Sequence, residues 1–511
     1  MSERTHEFDK FTKFSIKGYY EEPAKKIPIL EELDVLVVGG SPSGVAAAIC
    51  AARNGAHVRL VEQYGFLGGQ NVFSLVVQWE KRAFINNLGA VATRGIAKEM
   101  LDRVLEKGGS DGLWDEPPGC EEMRDGEEWL DIEAIKLTLI EMCQEAGVEL
   151  LFHTTAVDSM VTKGDGGRSK VTGVIFENKT GRFAIKAKIV VDATSDLDIV
   201  WQAAGEKGCI LRAPEERINA GFYVWYGGVE NEKFIEYAIS IDDIKGYPNP
   251  KLYPDKVRRH LKEEKLIIFS GFGEVLEGAD NKGMLDPIMD ALEDADTMGF
   301  VLIQMKRVKD MWCMHLFHLR APNVLDTWQT TKFEILRIKL QNLMLPVLKL
   351  MPGWEDAYVA RDSIHIGKRE SRLLNAVTML TKKDIFEPDH ERSDCVGRSG
   401  AHDPGKNTLK KAYPIPYGIM VPKNLDGVVC CTRALGLADK DAISAHRGIT
   451  PTIVVGQAAG TAAALAAASN IEARDLDLKK LRAALRDADV VLDIETVDLD
   501  INVKDVKPVR I

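Results

Sequence analysis

Apolar and polar positions follow two periods along the chain. Val35-Leu36-Val37-Val38 is an unbroken, β-branched run, short enough for a strand buried on both faces. A turn follows, Gly39-Gly40-Ser41-Pro42-Ser43-Gly44, and the alanine-rich segment to about Ala52 reads as a helix. Asn54-Gly55 stops that helix, and His57 to Val61 is a second strand, ending at Glu62. Strand, turn, helix and strand in this order make a βαβ unit. After a glycine-rich loop, Phe66 to Asn71, the helical period returns from Gly95 to Leu105. Lys107 to Asp125 reads as loop. Between Asp131 and Ala146, Ile132, Ile135, Leu139, Met142 and Cys143 share one helix face.

Val148 to His153 is a further strand. Ala156 to Met160 and Lys170 to Glu177 flank Gly164-Asp165-Gly166-Gly167, which has hairpin chemistry. Ala187 to Val191 is a buried strand running into Asp192-Ala193-Thr194-Ser195-Asp196. From about 200 to 410 the pattern mixes strands (Ala220 to Val229), helices (Asp286 to Met298, Gln329 to Met351) and aromatic loops. Val428 to Cys431 is again a buried strand, followed by a small-residue helix over Thr452 to Ser469 and an amphipathic helix from Leu476 to Arg486. The fold class is therefore α/β. Residues 1 to 30 read as a polar lead-in and 476 to 511 as a closing helix and tail.

The first turn has a chemical meaning. Gly39 lets the chain turn off the strand, and Gly44 lets the helix approach the sheet. The free N–H groups of the helix start then face a pyrophosphate. Glu62, some 20 residues on, is placed to accept hydrogen bonds from a ribose diol. The middle glycine of G-x-G-x-x-G is Ser41 here, small enough to admit the pyrophosphate. This much predicts a dinucleotide and leaves its identity open.

Composition narrows the setting. At 511 residues, two or three domains are expected. A net charge of -11 argues against nucleic acid or an anionic membrane as the main partner. The N-terminus has no apolar core of the kind a secretory signal needs. The longest apolar run, Thr452 to Ala468, contains Gly456 and Gly460 and reads as an internal helix rather than a membrane span. The eight cysteines include no C-x-x-C, so no metal centre is expected and a reducing, cytoplasmic setting fits.

Three separated blocks line up with one family. They are Val37 to Gly44 with Leu67-Gly68-Gly69; Val191 to Asp196; and Ile366-Gly367-Lys368-Arg369-Glu370-Ser371-Arg372 with Tyr413 to Tyr417, Arg447 to Pro451 and Val455 to Ala463. Together they resemble the FAD-dependent oxidoreductases of the glutathione-reductase-like superfamily, in the branch carrying G-x-R-E-[ST]-R, I-P-Y and G-Q-A-A-G-x-A-A-A. The resemblance implies a Rossmann-type FAD-binding domain built from discontinuous segments, 31–200 and 411–475, with an inserted α+β cap or substrate domain at 201–410. It implies non-covalent FAD held by Gly39, Ser41, Pro42, Ser43, Gly44, Glu62, Gln63, Gly68 and Gly69. Ala156 and Val157 would flank the adenine, and Ala193, Thr194 and Arg433 would line the flavin side. The helix opening at Thr450-Pro451-Thr452, capped by Thr450, would point at the flavin N1/O2 edge, where its dipole favours the reduced anion.

Several polar residues are candidates for the chemistry. Arg369 and Arg372 either brace the cap through Glu370 or present a fork to a substrate carboxylate. His446, His402 and Tyr417 are candidate proton partners, histidine because its pKa lies near neutrality. Cys430-Cys431, in an apolar strand, reads as two small hydrophobes rather than a redox pair. Tyr223, Trp225, Tyr226, Trp312, Phe317 and Trp328 fit either an apolar organic substrate or core packing. The expected activity is hydride exchange between a small organic substrate and flavin N5. The alternatives are an NAD(P)H-dependent flavin monooxygenase, for which no second glycine fingerprint is visible, and an electron-transfer flavoprotein subunit. The electron acceptor is left open, and a homo-oligomer is compatible.

Overall fold

The structure is a computed structural model that describes residues 17–80, 84, 93–110, 127–246, 253–262, 267–292, 299–305, 310–319, 323–387, 392–400 and 412–493. His402, residues 111–125 of the expected loop, the start of the lead-in and the tail beyond 493 lie outside the described residues.

Strand Ile29–Val38 is the centre of an eight-stranded sheet. It pairs in parallel with Val58–Val61 on one side, Val37 opposite Leu60, and with Gly181–Asp192 on the other, Val37 opposite Val191. Both faces are covered by other elements, and Val35, Leu36 and Val37 have no solvent exposure. That explains a continuous apolar run where a half-exposed strand would alternate. Glu149–Leu151 extends the sheet beyond Val58–Val61. Val428–Cys430 joins in parallel beside the end of Gly181–Asp192, Val429 opposite Val191. The same sheet thus takes strands from both ends of the chain.

Gly181–Asp192 is longer than its apolar run. Its first half, with Arg182 and Lys186, pairs antiparallel with Ser169–Asn178, so tertiary pairing recruits residues that polarity alone leaves out. The expected hairpin partner, Thr155–Lys163, lies on the other side of Ser169–Asn178.

Helix Pro42–Arg53 packs on the sheet and against the long helix Ile449–Ser469. The long helix is apolar and long enough to cross a membrane, but 83% of its most apolar stretch is buried inside the protein. It starts earlier than the sequence suggests. Gly448 occupies the cap position, which puts Thr450 and Pro451 inside the first turn rather than at its cap. Proline is tolerated there because first-turn N–H groups have no partner within the helix. The glycine-rich stretch after Leu67 also differs from expectation, since Gln70–Phe73 forms a short helical turn.

Between Gly181–Asp192 and Val428–Cys430 the chain builds a second, six-stranded antiparallel sheet. Ala220–Gly227 pairs with Trp312–Leu319 and Tyr358–Asp362. All eight residues of Ala220–Gly227 are buried, which hides its period of two. Phe222, Val224 and Tyr226 face a core with Trp312, Met314 and Trp354, closed by helix Thr327–Leu348. Tyr223 and Trp225 face the opposite way, against Val72, Leu75 and Val77 of the segment after Gly68-Gly69. Tyr226 and Trp312 therefore belong to core packing, and Trp328 is half exposed. Leu373, Leu374 and Leu380 pack in the core of the first sheet.

Candidate functional site

The first turn is assembled by close backbone contact. Gly39 has φ 111°, and a β-carbon on it would stand 2.4 Å from the carbonyl oxygen of Ala193. A β-carbon on Gly44 would stand 2.0 Å from the Gly39 carbonyl oxygen. Ser41, the departure from the glycine pattern, is the N-cap of the helix; its Oγ accepts from the Gly44 N–H at 3.4 Å and meets Ser43 Oγ at 3.0 Å. Pro42 opens the helix. The Gly68 N–H donates to the Gly40 carbonyl at 2.8 Å, which brings the second glycine pair onto the first turn.

Glu62 is buried, and burial raises its carboxyl above the usual range. Its two oxygens accept from the N–H groups of Gly40 (2.6 Å) and Tyr64 (2.9 Å). In this conformation the carboxylate stiffens the turn from behind, while Gln63 beside it is exposed. Ala156 and Val157 lie in an outer strand of the same sheet, where the Ala156 carbonyl accepts from Gln202.

Where Gly181–Asp192 ends, Ala193 N–H donates to the Val38 carbonyl at 2.9 Å, setting Ala193 and Thr194 against the first turn. Asp192 is fully buried and accepts from the Thr194 N–H and hydroxyl and the Val200 N–H. Burial pushes its carboxyl up to about 7. Asp196 pairs with Arg433 at 2.7 Å, and its carboxyl is held below the usual range chiefly by that guanidinium and Lys368 against the cost of burial. Arg372 donates to the Asp196 carbonyl and to Asp198, each at 2.8 Å, with its guanidinium 4.6 Å over the Trp201 ring. Arg433 also donates to the Arg369 carbonyl at 3.2 Å. The Arg372 and Arg433 side chains thus meet at one place, with the Arg369 carbonyl beside them.

Arg369 turns toward the antiparallel sheet. It donates to the Asn219 carbonyl at 3.0 Å and lies 3.1 Å from His315 Nε2. A guanidinium only donates, so this contact makes Nε2 the acceptor and leaves the ring proton on Nδ1. His315 stacks on Tyr223 at 4.1 Å, and the Tyr223 hydroxyl donates to Gln78 at 3.0 Å. Gly221 has no side chain because the space is taken; a β-carbon there would stand 3.2 Å from Arg369 Nη2.

The remaining candidates have other partners. His446 is fully buried, meets the Tyr413 hydroxyl at 2.9 Å through Nδ1, and is pushed down to about 4 by burial. Tyr417 donates to the Ala473 carbonyl at 2.8 Å, away toward the closing helices. Thr452 donates within its own helix, to Ile449 at 2.7 Å. Cys430 and Cys431 are buried free thiols, both pushed up by burial.

Sequence reasoning missed a second junction. The Tyr64 hydroxyl hydrogen-bonds His365 Nε2, whose Nδ1 lies 3.5 Å from Glu334. The Ile364 N–H donates to the Phe73 carbonyl at 2.6 Å, and Gln70 donates to the Lys368 carbonyl at 2.9 Å. These bonds tie the loop after Glu62 to the segment Ile364 to Arg372. Their partners are some 300 residues apart, and no local pattern signals them.

The glycine cradle, the helix start with its hydroxyl cap and the crevice at the carboxyl ends of the parallel strands fit a dinucleotide. Comparison with known proteins names it. The chain belongs to the FAD-dependent oxidoreductases: the model of that family matches residues 34–485. The cofactor is FAD and the protein is an enzyme. Among curated proteins, thiamine thiazole synthase of Pyrococcus furiosus is 27% identical over 214 residues, 39% of this chain and 71% of that one. Among solved structures, Thermovibrio ammonificans THI4 aligns at 23% identity and a TM-score of 0.25, over 34% of this chain and 61% of that one. The myxobacterial halogenase CndH aligns at 12% identity and a TM-score of 0.46, over 89% and 78%.

Proposed function

We propose that the enzyme exchanges a hydride between a small organic substrate and its flavin, the substrate lying between the antiparallel sheet and the glycine loops. The observation that supports this most is the Arg369–His315–Tyr223 array. It sits on the face of that sheet turned toward the segment following Gly68-Gly69. FAD supplies the hydride acceptor or donor at N5.

The chain's own residues supply position and hydrogen bonds. The Gly39–Gly44 turn with Ser41, Ser43 and the N–H groups of the helix start would hold the pyrophosphate, Glu62 the ribose once its carboxylate turns outward, and Ala193 and Thr194 the ribityl side. The start of Ile449–Ser469 would place its positive end at the flavin edge. His315, whose Nε2 accepts from Arg369, carries its proton on Nδ1 and would use that N–H to hold a substrate oxygen by a hydrogen bond. Arg369 would orient a polar group of the substrate through its fork.

Anaerobic exposure of the purified yellow protein to a panel of alcohols, amines and carboxylic acids tests the reading. We expect one class to bleach the flavin, with oxygen or a quinone restoring the colour. Rapid bleaching by NADPH alone, with no response to the panel, would replace hydride exchange with a monooxygenase-type cycle.

A further inference from the structure

Backbone N–H groups hold both oxygens of the Glu62 carboxylate. Gly40 donates to Oε2 at 2.6 Å and Tyr64 to Oε1 at 2.9 Å. Where these two donors stand therefore sets the direction in which the carboxylate can turn. Gly40 belongs to the nucleotide turn itself, and its carbonyl accepts from the Gly68 N–H at 2.8 Å. Tyr64 stands outside the turn, on the loop that leads to Gly68-Gly69, and distant parts of the fold set its place.

The Tyr64 ring stacks on Phe66 at 5.4 Å, the planes 8° apart, and tilts against Phe73 at 5.6 Å. Its carbonyl accepts from the His153 N–H at 3.3 Å. Its hydroxyl bonds His365 Nε2, some 300 residues away in sequence. His365 is itself held, with its ring edge-on to Phe73 at 5.3 Å and Nδ1 at 3.5 Å from Glu334 Oε1. Burial raises the Glu334 carboxyl, but bonds from His365, Ile366 and Arg337 outweigh it and keep the group below the usual range. The Ile366 N–H and Arg337 Nε each donate to it at 2.9 Å. An ionised carboxylate only accepts, so the His365 ring proton sits on Nδ1 and Nε2 accepts from the Tyr64 hydroxyl. Glu334 belongs to helix Thr327–Leu348, which closes the core of the antiparallel sheet. A continuous line of contacts thus runs from that helix, through His365 and Tyr64, to Glu62.

We propose that Glu334, His365 and Tyr64 are positioning residues for Glu62, setting its carboxylate for the ribose diol of FAD. The proposal rests on reading Glu62 as the acid that faces that ribose. Tyrosine suits the role because its side chain is rigid, with two rotatable angles. Pinning the hydroxyl at one end therefore also fixes the backbone N–H at the other.

Calorimetry of two nucleotides on the full-length apoprotein tests the proposal without turnover. ADP carries the ribose diol of FAD, and 2′,3′-dideoxy-ADP lacks it. We expect wild type to prefer ADP by about tenfold, the size of a hydrogen bond to a carboxylate, and Glu62→Gln to lose most of that preference. Tyr64→Phe and His365→Leu should each cut the preference by about threefold or more, with dideoxy-ADP binding as in wild type. His365→Gln, whose side-chain oxygen can accept from the Tyr64 hydroxyl, should recover most of it. If His365→Leu does not fold, Tyr64→Phe, which keeps the ring, carries the same test. Folded variants that keep the wild-type preference overturn the proposal. So do variants that lose both nucleotides alike, since that marks a loop that is merely structural. Failure of the ribose reading shows separately, as a wild type with no preference or a preference that survives Glu62→Gln, and it takes the proposal with it.

Discussion

Gly460 lies so close to Ala47 that a β-carbon on it would stand 2.0 Å from the Ala47 carbonyl oxygen. Four residues earlier, Gly456 makes the same approach to the Ser43 carbonyl at 2.2 Å. Helix Ile449–Ser469 therefore rests on the backbone of the nucleotide-binding helix along one stripe. Any movement of one helix is felt at the Gly39–Gly44 turn.

Gly460→Ala tests this contact. Alanine gains about 1 kcal/mol in helix propensity, but its β-carbon meets backbone that cannot swing away. We expect a net loss of roughly 1–3 kcal/mol in urea unfolding. Gly278→Ala is the control, because that helical glycine has nothing within 4 Å of its β-carbon position. It should be neutral or stabilising by up to about 1 kcal/mol.

Gly44→Val should abolish flavin retention. The new side chain collides with the Gly39 carbonyl, 2.0 Å from the β-carbon position, and opens the turn that holds the pyrophosphate. The purified variant is expected to be colourless, with added FAD failing to restore the absorbance. Ser41→Ala removes only the cap, which costs about 1 kcal/mol, and should stay yellow with weakened FAD affinity.

Two buried groups give opposing pH dependences over one window. Asp192 has its carboxyl raised from 3.8 to about 7, so the native state holds a proton that the unfolded chain has released; its contribution falls as pH rises from about 4 to 7. His446 is lowered from 6.5 to about 4, so its contribution falls as pH drops through that interval. Near pH 5 each state binds one proton between the two groups, and the slopes cancel. Apoprotein unfolding should therefore change little with pH between about 4.5 and 6.5 through these residues. Asp192→Asn should expose the acid lability of His446, and His446→Phe should expose a decline in stability toward neutral pH. Parallel pH profiles for wild type and both variants would refute the opposed assignment.

Arg433→Leu should leave Asp196 as a largely buried carboxylate with its principal partner gone. The expected loss is roughly 3 kcal/mol, at the low end for a broken buried pair because the Asp196 side chain keeps 17% exposure. Arg433→Leu with Asp196→Asn should recover part of it, read as the coupling in a double-mutant cycle.

The βαβ unit was legible because its signals are local. A β-branched run, a glycine turn and an alanine helix declare themselves within Asp34 to Glu62, and the glycine spacing carries its chemistry with it. The place of Ser41 as a helix cap could have been read from Ser41-Pro42, a cap followed by a proline at the first helical position. The extent of Gly181–Asp192 could not, because its polar half is held by a partner strand.

By itself the sequence determined the parallel sheet, the nucleotide turn and the FAD-family blocks, since each rests on steric and hydrogen-bonding preferences of residues near one another in the chain. Only the tertiary structure decided the rest of the site. Tyr64 meets His365, Gln70 meets Lys368 and Arg369 meets His315 because the segment Ile364 to Arg372 and the antiparallel sheet pack against the loop after Glu62. The packing of distant segments sets which side chains share a site.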